Sequence, residues 1–268
     1  GIVHVSSFST PTYDDIVSAV TDLRTQGATS FVFDFRQNPG GLLDQALKIS
    51  NMFLDDGDVI MQTQEKDAEP NKIVASDSEF GDFKITEPSV LLVDEGSASA
   101  SEIVAGALQE SSEIPLVGTT TFGKGTVQTV YPLTESSELK LTVAKWLTPN
   151  GNWIHQKGIA VDYEVALPEY ATLTIIDSTA TYEEGTVSEE VKNVEAMLNA
   201  IGYAVEADGY YDEATVEQVA SFQAANELDA TGIVTGDTAL AIVEKLREVL
   251  TENDTQYDKA VEILMGNE

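Results

Sequence analysis

The chain has no cysteine. That excludes a cysteine nucleophile, an iron–sulfur site and a disulfide framework, and it fits export from a Gram-positive bacterium. Histidine is nearly absent too, with His4 and His155 the only two in 268 residues. A multi-histidine metal site is therefore not expected, and a Ser-His-Asp triad has only those two to draw on. His4 reads as a strand residue and His155 as part of a turn near Trp153. Basic residues are scarce: 14 Lys and Arg stand against 46 Asp and Glu, for a net charge of −32. Nucleic-acid binding needs basic patches to neutralise phosphate, so no nucleic acid is expected as a partner. The acidic surface resists aggregation and suits a saline habitat, where salt screens the self-repulsion. No apolar run approaches the ~20 residues of a membrane span. Residues 1–5 read as a strand and not as a leader, so the chain reads as a piece of something longer.

What is present is an alternation of strands and helices. Residues 2–8 are strand-like, and Pro11 opens a helix in which Ile16, Val17, Val20 and Leu23 recur at helical spacing. Residues 30–35 and 89–93 are continuous apolar runs of the kind buried on both faces of a sheet. Helices are expected over 42–53 and 99–110, and a hairpin over 59–61 and 72–75. Short strands are expected near 116, 126–131 and 139–146. This order predicts an α/β fold, a mainly parallel sheet with covering helices, over residues 1–168. Residues 169–186 are polar, with little periodicity, and read as a linker. Residues 187–268 read as a small all-α module. Val191, Val194 and Leu198 mark its first helix, Val219 and Phe222 its second, and Leu240, Val243 and Leu246 its third. A last short helix is expected with Tyr257, Val261 and Leu264 inward.

The chemistry concentrates in Gly96-Ser97-Ala98-Ser99-Ala100-Ser101-Glu102 and in Gly123-Lys124-Gly125 followed by Gln128. The first stretch sets serines on a small-residue turn opening a helix. The second holds a lysine between two glycines. A serine hydroxyl is a poor nucleophile until a neighbour takes its proton. A lysine does so only when neutral, which requires a site that lowers its ~10.4 reference pKa by burial. Val117, Phe122 and Val127 are candidates for a dry wall around Lys124, and Gln128 for a hydrogen bond to its amine. The Ala100 N–H at the helix start is a natural oxyanion donor. A second donor is available in Asn38-Pro39-Gly40-Gly41, where glycine lets a backbone N–H approach a ligand. Taken alone, Ser99-Ala100-Ser101-Glu102 is equally a helix capping box, and Ser97 and Ser101 rival Ser99 as nucleophile.

Residues 1–167 resemble the carboxyl-terminal processing, or tail-specific, proteases. The resemblance rests on Asp34-Phe35-Arg36-Gln37-Asn38-Pro39-Gly40-Gly41, on residues 96–107, on Thr121-Phe122-Gly123-Lys124-Gly125-Thr126-Val127-Gln128, and on Gly158-Ile159 with Asp162. It implies a Clp/crotonase-like protease core, with Ser99 as nucleophile, Lys124 as general base and Gln128 orienting the lysine. It implies an oxyanion hole from Ala100 and one glycine of Gly40-Gly41, with Glu102 supporting the site. No cofactor or metal is implied. The implied substrate is a protein or peptide with an unfolded carboxyl terminus. Such proteases carry a PDZ domain ahead of this core, and the chain begins where that domain is expected to end.

Residues 187–250 resemble the small peptidoglycan-binding domain of cell-wall enzymes. Gly202-Tyr203, Asp208-Gly209-Tyr210-Tyr211-Asp212, Phe222-Gln223 and Thr231-Gly232 carry that likeness. It implies peptidoglycan as a partner, with Tyr210 or Tyr211 stacking on sugars or stem peptides. The expected protein is thus an extracytoplasmic serine endopeptidase, secreted or anchored to the surface of a Gram-positive bacterium. Two alternatives are a non-catalytic wall-binding scaffold on a protease fold and an acyl-thioester enzyme of the crotonase-like group.

Overall fold

The computed structural model describes residues 1–134 and 137–266. Two units divide the chain: residues 1–166 together with the segment from Gln256 onward, and residues 167–255.

In the first unit the elements run β1 (Ile2–His4), α1 (Thr12–Thr25), β2 (Phe31–Asp34), α2 (Leu43–Asn51), β3 (Val59–Glu65), β4 (Asn71–Val74) and α3 (Asp77–Phe80). They continue with β5 (Ser89–Val93), α4 (Ala100–Ser111), β6 (Leu116–Gly118), β7 (Thr126–Thr134), β8 (Ser137–Leu147) and β9 (Tyr163–Glu164). One sheet has the order β1-β2-β5-β6-β9 and every pair in it is parallel. The other, β4-β3-β8-β7, is antiparallel. The mixed α/β fold with a parallel sheet agrees with the pattern of the sequence, and the hairpin of β3 with β4 lies where it was expected.

Alternation along the parallel strands sorts their side chains onto two faces. Phe31, Phe33, Leu91 and Val93 enter the main core, with Ile16 and Val20 of α1 and Val104 and Leu108 of α4. Val32, Val90, Leu92 and Val117 point to the opposite face. That second face is covered by α8 (Thr255–Leu264) at the end of the chain, with Ala260 fully buried and Tyr257, Ile263 and Leu264 packed around it. Gln256 fastens the helix: its Nε2 donates to Val165 O at 2.8 Å, and its Oε1 accepts Arg36 Nη1 at 3.1 Å. This corrects the expected boundary of 187–268 for the helical module. An all-parallel sheet must be covered on both faces, and the last helix belongs to that sheet.

The second unit holds α5 (Glu189–Ala200), α6 (Glu213–Ala225) and α7 (Gly236–Glu252) around a core of Val194, Leu198, Tyr211, Phe222 and Ile242. Ser188 and Asp212 cap α5 and α6 by accepting the N–H groups of Val191 and Thr215. The stretch 169–186 is not a free linker. Ile176 and Tyr182 are buried in this core, and Tyr182 pairs with Val234 as a β-bridge. Scattered apolar residues anchor an irregular segment without leaving a periodic signal.

Candidate active site

Strand β5 ends at Val93, the chain turns through residues 94–98, and α4 begins at Ala100. Ser99 sits at the junction with φ 57° and ψ −108°. A positive φ is strained for a residue with a Cβ, and such outliers gather at functional sites. A serine raised on a tight strand-to-helix turn at the carboxyl end of a sheet is in a nucleophile's place.

The three candidate serines have different surroundings. Ser97 is fully buried, its hydroxyl donating to Phe35 O at 2.8 Å and accepting the Asp94 N–H at 2.9 Å. Ser101 is fully buried and donates to Asn38 O at 2.9 Å. Both are structural pins. Ser99 is half-buried, and among the described residues no acceptor takes its hydroxyl proton.

Glu102 lies on the first turn of α4 and is fully buried. Its Oε1 accepts the Thr121 hydroxyl at 2.6 Å and the Gly123 N–H at 2.7 Å. Its Oε2 accepts the N–H of Ser99 at 2.9 Å and of Lys124 at 2.8 Å. A buried carboxylate is tolerated when its lone pairs are filled in this way. The capping contact and the support of the site are thus one arrangement. Thr121 extends it by accepting the Ile159 N–H at 2.7 Å.

The Lys124 loop is held from behind as well. Trp146 Nε1 donates to Lys124 O at 2.8 Å, and Trp153 Nε1 donates to Gly125 O at 2.9 Å. Gly123 has φ 90°, and a Cβ there would lie 2.8 Å from the Gly158 and Lys157 nitrogens. The Lys124 side chain is half-buried and lines a cavity of about 550 Å³ with Gln37, Pro39, Glu95, Ala98 and Phe122. Its ammonium makes no hydrogen bond or ion pair among the described residues. Catalytic hydrogen bonds often close only when substrate is bound.

Gly40 abuts the Ser99 turn. With φ 96°, a Cβ there would lie 2.8 Å from Ala100 N and 2.9 Å from Ser99 Cβ. Its lack of a side chain keeps open the space in front of the Ala100 N–H. The Gly40 N–H itself is taken by Asn38 Oδ1 at 2.9 Å, so it is not a free oxyanion donor. The Gly41 N–H meets no described acceptor, because its parallel bridge to Phe8 runs through the flanking Gly40 O and Leu42 N–H.

Three expected placements differ in the structure. Gln128 lies on β7, is exposed, and makes no hydrogen bond to Lys124. Val117 points to the α8 face of the sheet and does not wall Lys124. Tyr211 is fully buried in the module, its hydroxyl donating to Gly232 O at 2.8 Å. Burial, and secondarily the Glu195 charge, hold its phenol pKa up. Only Tyr210, 49% exposed, is left at the module's surface. Asp94 was not singled out in the sequence, although its place after a buried strand and two residues before Gly96 is a turn signature. His155 stacks on Trp153 with ring centroids 5.4 Å apart, and His4 lies 3.6 Å from Asp34.

Comparison with known proteins gives the family. Residues 1–165 match the model of peptidase family S41, and residues 187–242 match a peptidoglycan binding domain. The chain is 44% identical over 264 residues to the carboxy-terminal processing protease CtpA of Bacillus subtilis (strain 168), covering 98% of this chain and 56% of that protein. It is 37% identical to a "Probable CtpA-like serine protease" of Staphylococcus aureus (strain N315), covering 98% of this chain and 53% of that one. The chain therefore spans about half the length of these curated relatives. Among solved structures, the photosystem II D1 C-terminal processing protease superposes with a TM-score of 0.56 at 33% identity, covering 63% of this chain and 43% of that one. The chain belongs to peptidase family S41, with a peptidoglycan-binding domain following the peptidase core.

Proposed function

We propose that this chain is a serine endopeptidase acting through Ser99 and Lys124. Lys124 Nζ takes the Ser99 hydroxyl proton as Oγ attacks the scissile carbonyl. The resulting oxyanion meets the N–H groups of Ala100 and Gly41. Collapse of the intermediate breaks the C–N bond, and Lys124 returns the proton to the departing amine. Water then hydrolyses the ester with Lys124 again as base. The observation that carries this reading is the Glu102 carboxylate, which binds the backbone of Ser99 and of Lys124 at once. Gln128, exposed on β7 and making no hydrogen bond to Lys124, is given no role in this arrangement.

The substrate class is an unfolded polypeptide, cleaved at or near its carboxyl-terminal tail, as the family likeness implies. The second unit serves to hold the enzyme at peptidoglycan, with Tyr210 as the exposed aromatic contact. The proposed site of action is extracytoplasmic, at a Gram-positive surface, a reading supported by that module and by the Bacillus and Staphylococcus relatives.

The test is casein cleavage by the chain beside its Ser99→Ala and Lys124→Ala variants. Both variants should stay folded and lose cleavage, and a chelator should have no effect. Full activity in Lys124→Ala would overturn the dyad. For the module, Tyr210→Ala should reduce co-sedimentation with purified peptidoglycan at unchanged stability, and equal binding would remove Tyr210 from the contact.

A further inference from the structure

A second buried carboxylate stands on the other side of the nucleophile. Asp94 directly follows β5 and is 6% exposed. Its Oδ1 accepts the Gln37 N–H at 2.8 Å and the Gly96 N–H at 2.9 Å, and its Oδ2 accepts Gln37 Nε2 at 2.8 Å. It forms no ion pair among the described residues. One side chain therefore grips two separate loops, the turn after β2 and the turn that carries Ser99.

Gln37 needs that grip. Its φ is 56°, a strained value for a residue with a side chain. It is packed so tightly on the nucleophile turn that a Cβ at Gly96 would lie 2.8 Å from its Cα. Gln37 also lines the cavity that holds Lys124. It leads into Asn38, whose carbonyl accepts the Ala98 N–H at 3.0 Å, and then into Gly40 and Gly41. Whatever sets Gln37 sets how the Gly41 N–H and the space at Gly40 meet Ser99 and Ala100.

We propose that Asp94 is a positioning residue for the reaction, fixing the turn 37–41 against the nucleophile turn. The proposal rests on the Ser99 reading above. The labour divides between two carboxylates. Glu102 joins the nucleophile to the base, and Asp94 joins the nucleophile to the oxyanion turn. Asp94 touches no reacting atom, so its loss acts on kcat through geometry and leaves the proton chemistry of Lys124 alone.

The experiment compares Asp94→Ala, Asp94→Asn and Gln37→Ala with the parent chain by casein cleavage across pH and by amide hydrogen exchange. Asp94→Ala should lose about 10²-fold in kcat, with KM within twofold and the pH midpoint of kcat unmoved. Asp94→Asn keeps an Oδ1 acceptor for both backbone N–H groups and should recover to within about tenfold of the parent. Gln37→Ala should fall between them. Exchange should quicken at the amides of Gln37 and Gly96 in Asp94→Ala and stay unchanged at Gly123 and Lys124. Parent-like kcat in both Asp94→Asn and Gln37→Ala, with unchanged exchange at Gln37, overturns the proposal even if Asp94→Ala fails to fold. A shifted pH midpoint also overturns it, because Asp94 would then act on the base. Unchanged exchange at Gln37 and Gly96 in Asp94→Ala overturns it without any activity measurement. Cleavage that persists in Ser99→Ala defeats the Ser99 reading instead, and the exchange result still decides whether Asp94 positions the turn.

Discussion

Ser99 and Lys124 are fastened to the same atom: Glu102 Oε2 accepts the Ser99 N–H at 2.9 Å and the Lys124 N–H at 2.8 Å. A shared oxygen couples the two loops more tightly than side-chain packing would, since neither N–H can drift without leaving a buried carboxylate short of a donor. The serine turn and the lysine loop are thereby held as one body before any substrate arrives.

Glu102→Gln replaces two acceptor oxygens by one and turns an NH2 toward N–H donors. The expected result is at least about a 10²-fold fall in kcat and a loss of about 2–4 kcal/mol in stability. Casein cleavage and thermal unfolding measured on the same preparation check this. Stability lost without any fall in kcat per folded molecule would show that the two loops find their positions unaided.

Gly40→Ala puts a methyl group 2.6 Å from Ala98 O and 2.8 Å from Ala100 N. Real Cβ atoms do not approach backbone so closely, and φ is 96° at this position. The variant should fold with a cost of about 1–3 kcal/mol and lose nearly all cleavage, because the methyl occupies the space in front of the Ala100 N–H, the proposed oxyanion donor. Retained kcat would place the oxyanion elsewhere.

In the second unit Glu195 is fully buried, accepting among the described residues the Gly209 N–H at 2.9 Å and the Thr215 hydroxyl at 3.3 Å. Burial above all, with the nearby Asp208 and Asp212 charges, pushes its carboxyl pKa up. A carboxyl raised on folding stabilises the fold while protonated. That contribution is complete below the unfolded value of ~4.3 and is lost as pH climbs through the folded value. The module should therefore unfold at lower temperature at pH 8 than at pH 5. Glu195→Gln keeps both partners without a charge. It should flatten that dependence and add about 1 kcal/mol at neutral pH. An unchanged pH slope in the variant would assign the effect to other carboxylates.

Ala260→Asp sets a charge on the apolar face formed by Val32, Val90, Leu92 and Val117. The first unit should lose about 3 kcal/mol or more. Both tryptophans, Trp146 and Trp153, lie in that unit, so the midpoint of denaturant unfolding followed by tryptophan fluorescence reports on it alone. A midpoint equal to the parent's would show that α8 is dispensable as a cover.

Sequence by itself determined the order of strands and helices, because apolar periodicity is local. The continuous run Val90-Leu91-Leu92-Val93 and the helical stripe of Ile16 and Val20 declare their burial within a few residues. It also offered the ingredients of the candidate site, since the Ser99 turn, the Lys124 loop and Glu102 each carry a recognisable small-residue setting. Tertiary structure alone showed that the Ser97 and Ser101 hydroxyls are taken up, because their acceptors, Phe35 O and Asn38 O, lie more than 60 residues away in the chain. It alone excluded Gln128 from the lysine and Tyr211 from the surface, and it alone brought Asp94 to Gln37, 57 residues away. It also placed α8: a helix with one apolar stripe reads the same whatever it covers, and only the unpaired face of the parallel sheet says that this one returns to the peptidase core and not to the module beside it in sequence.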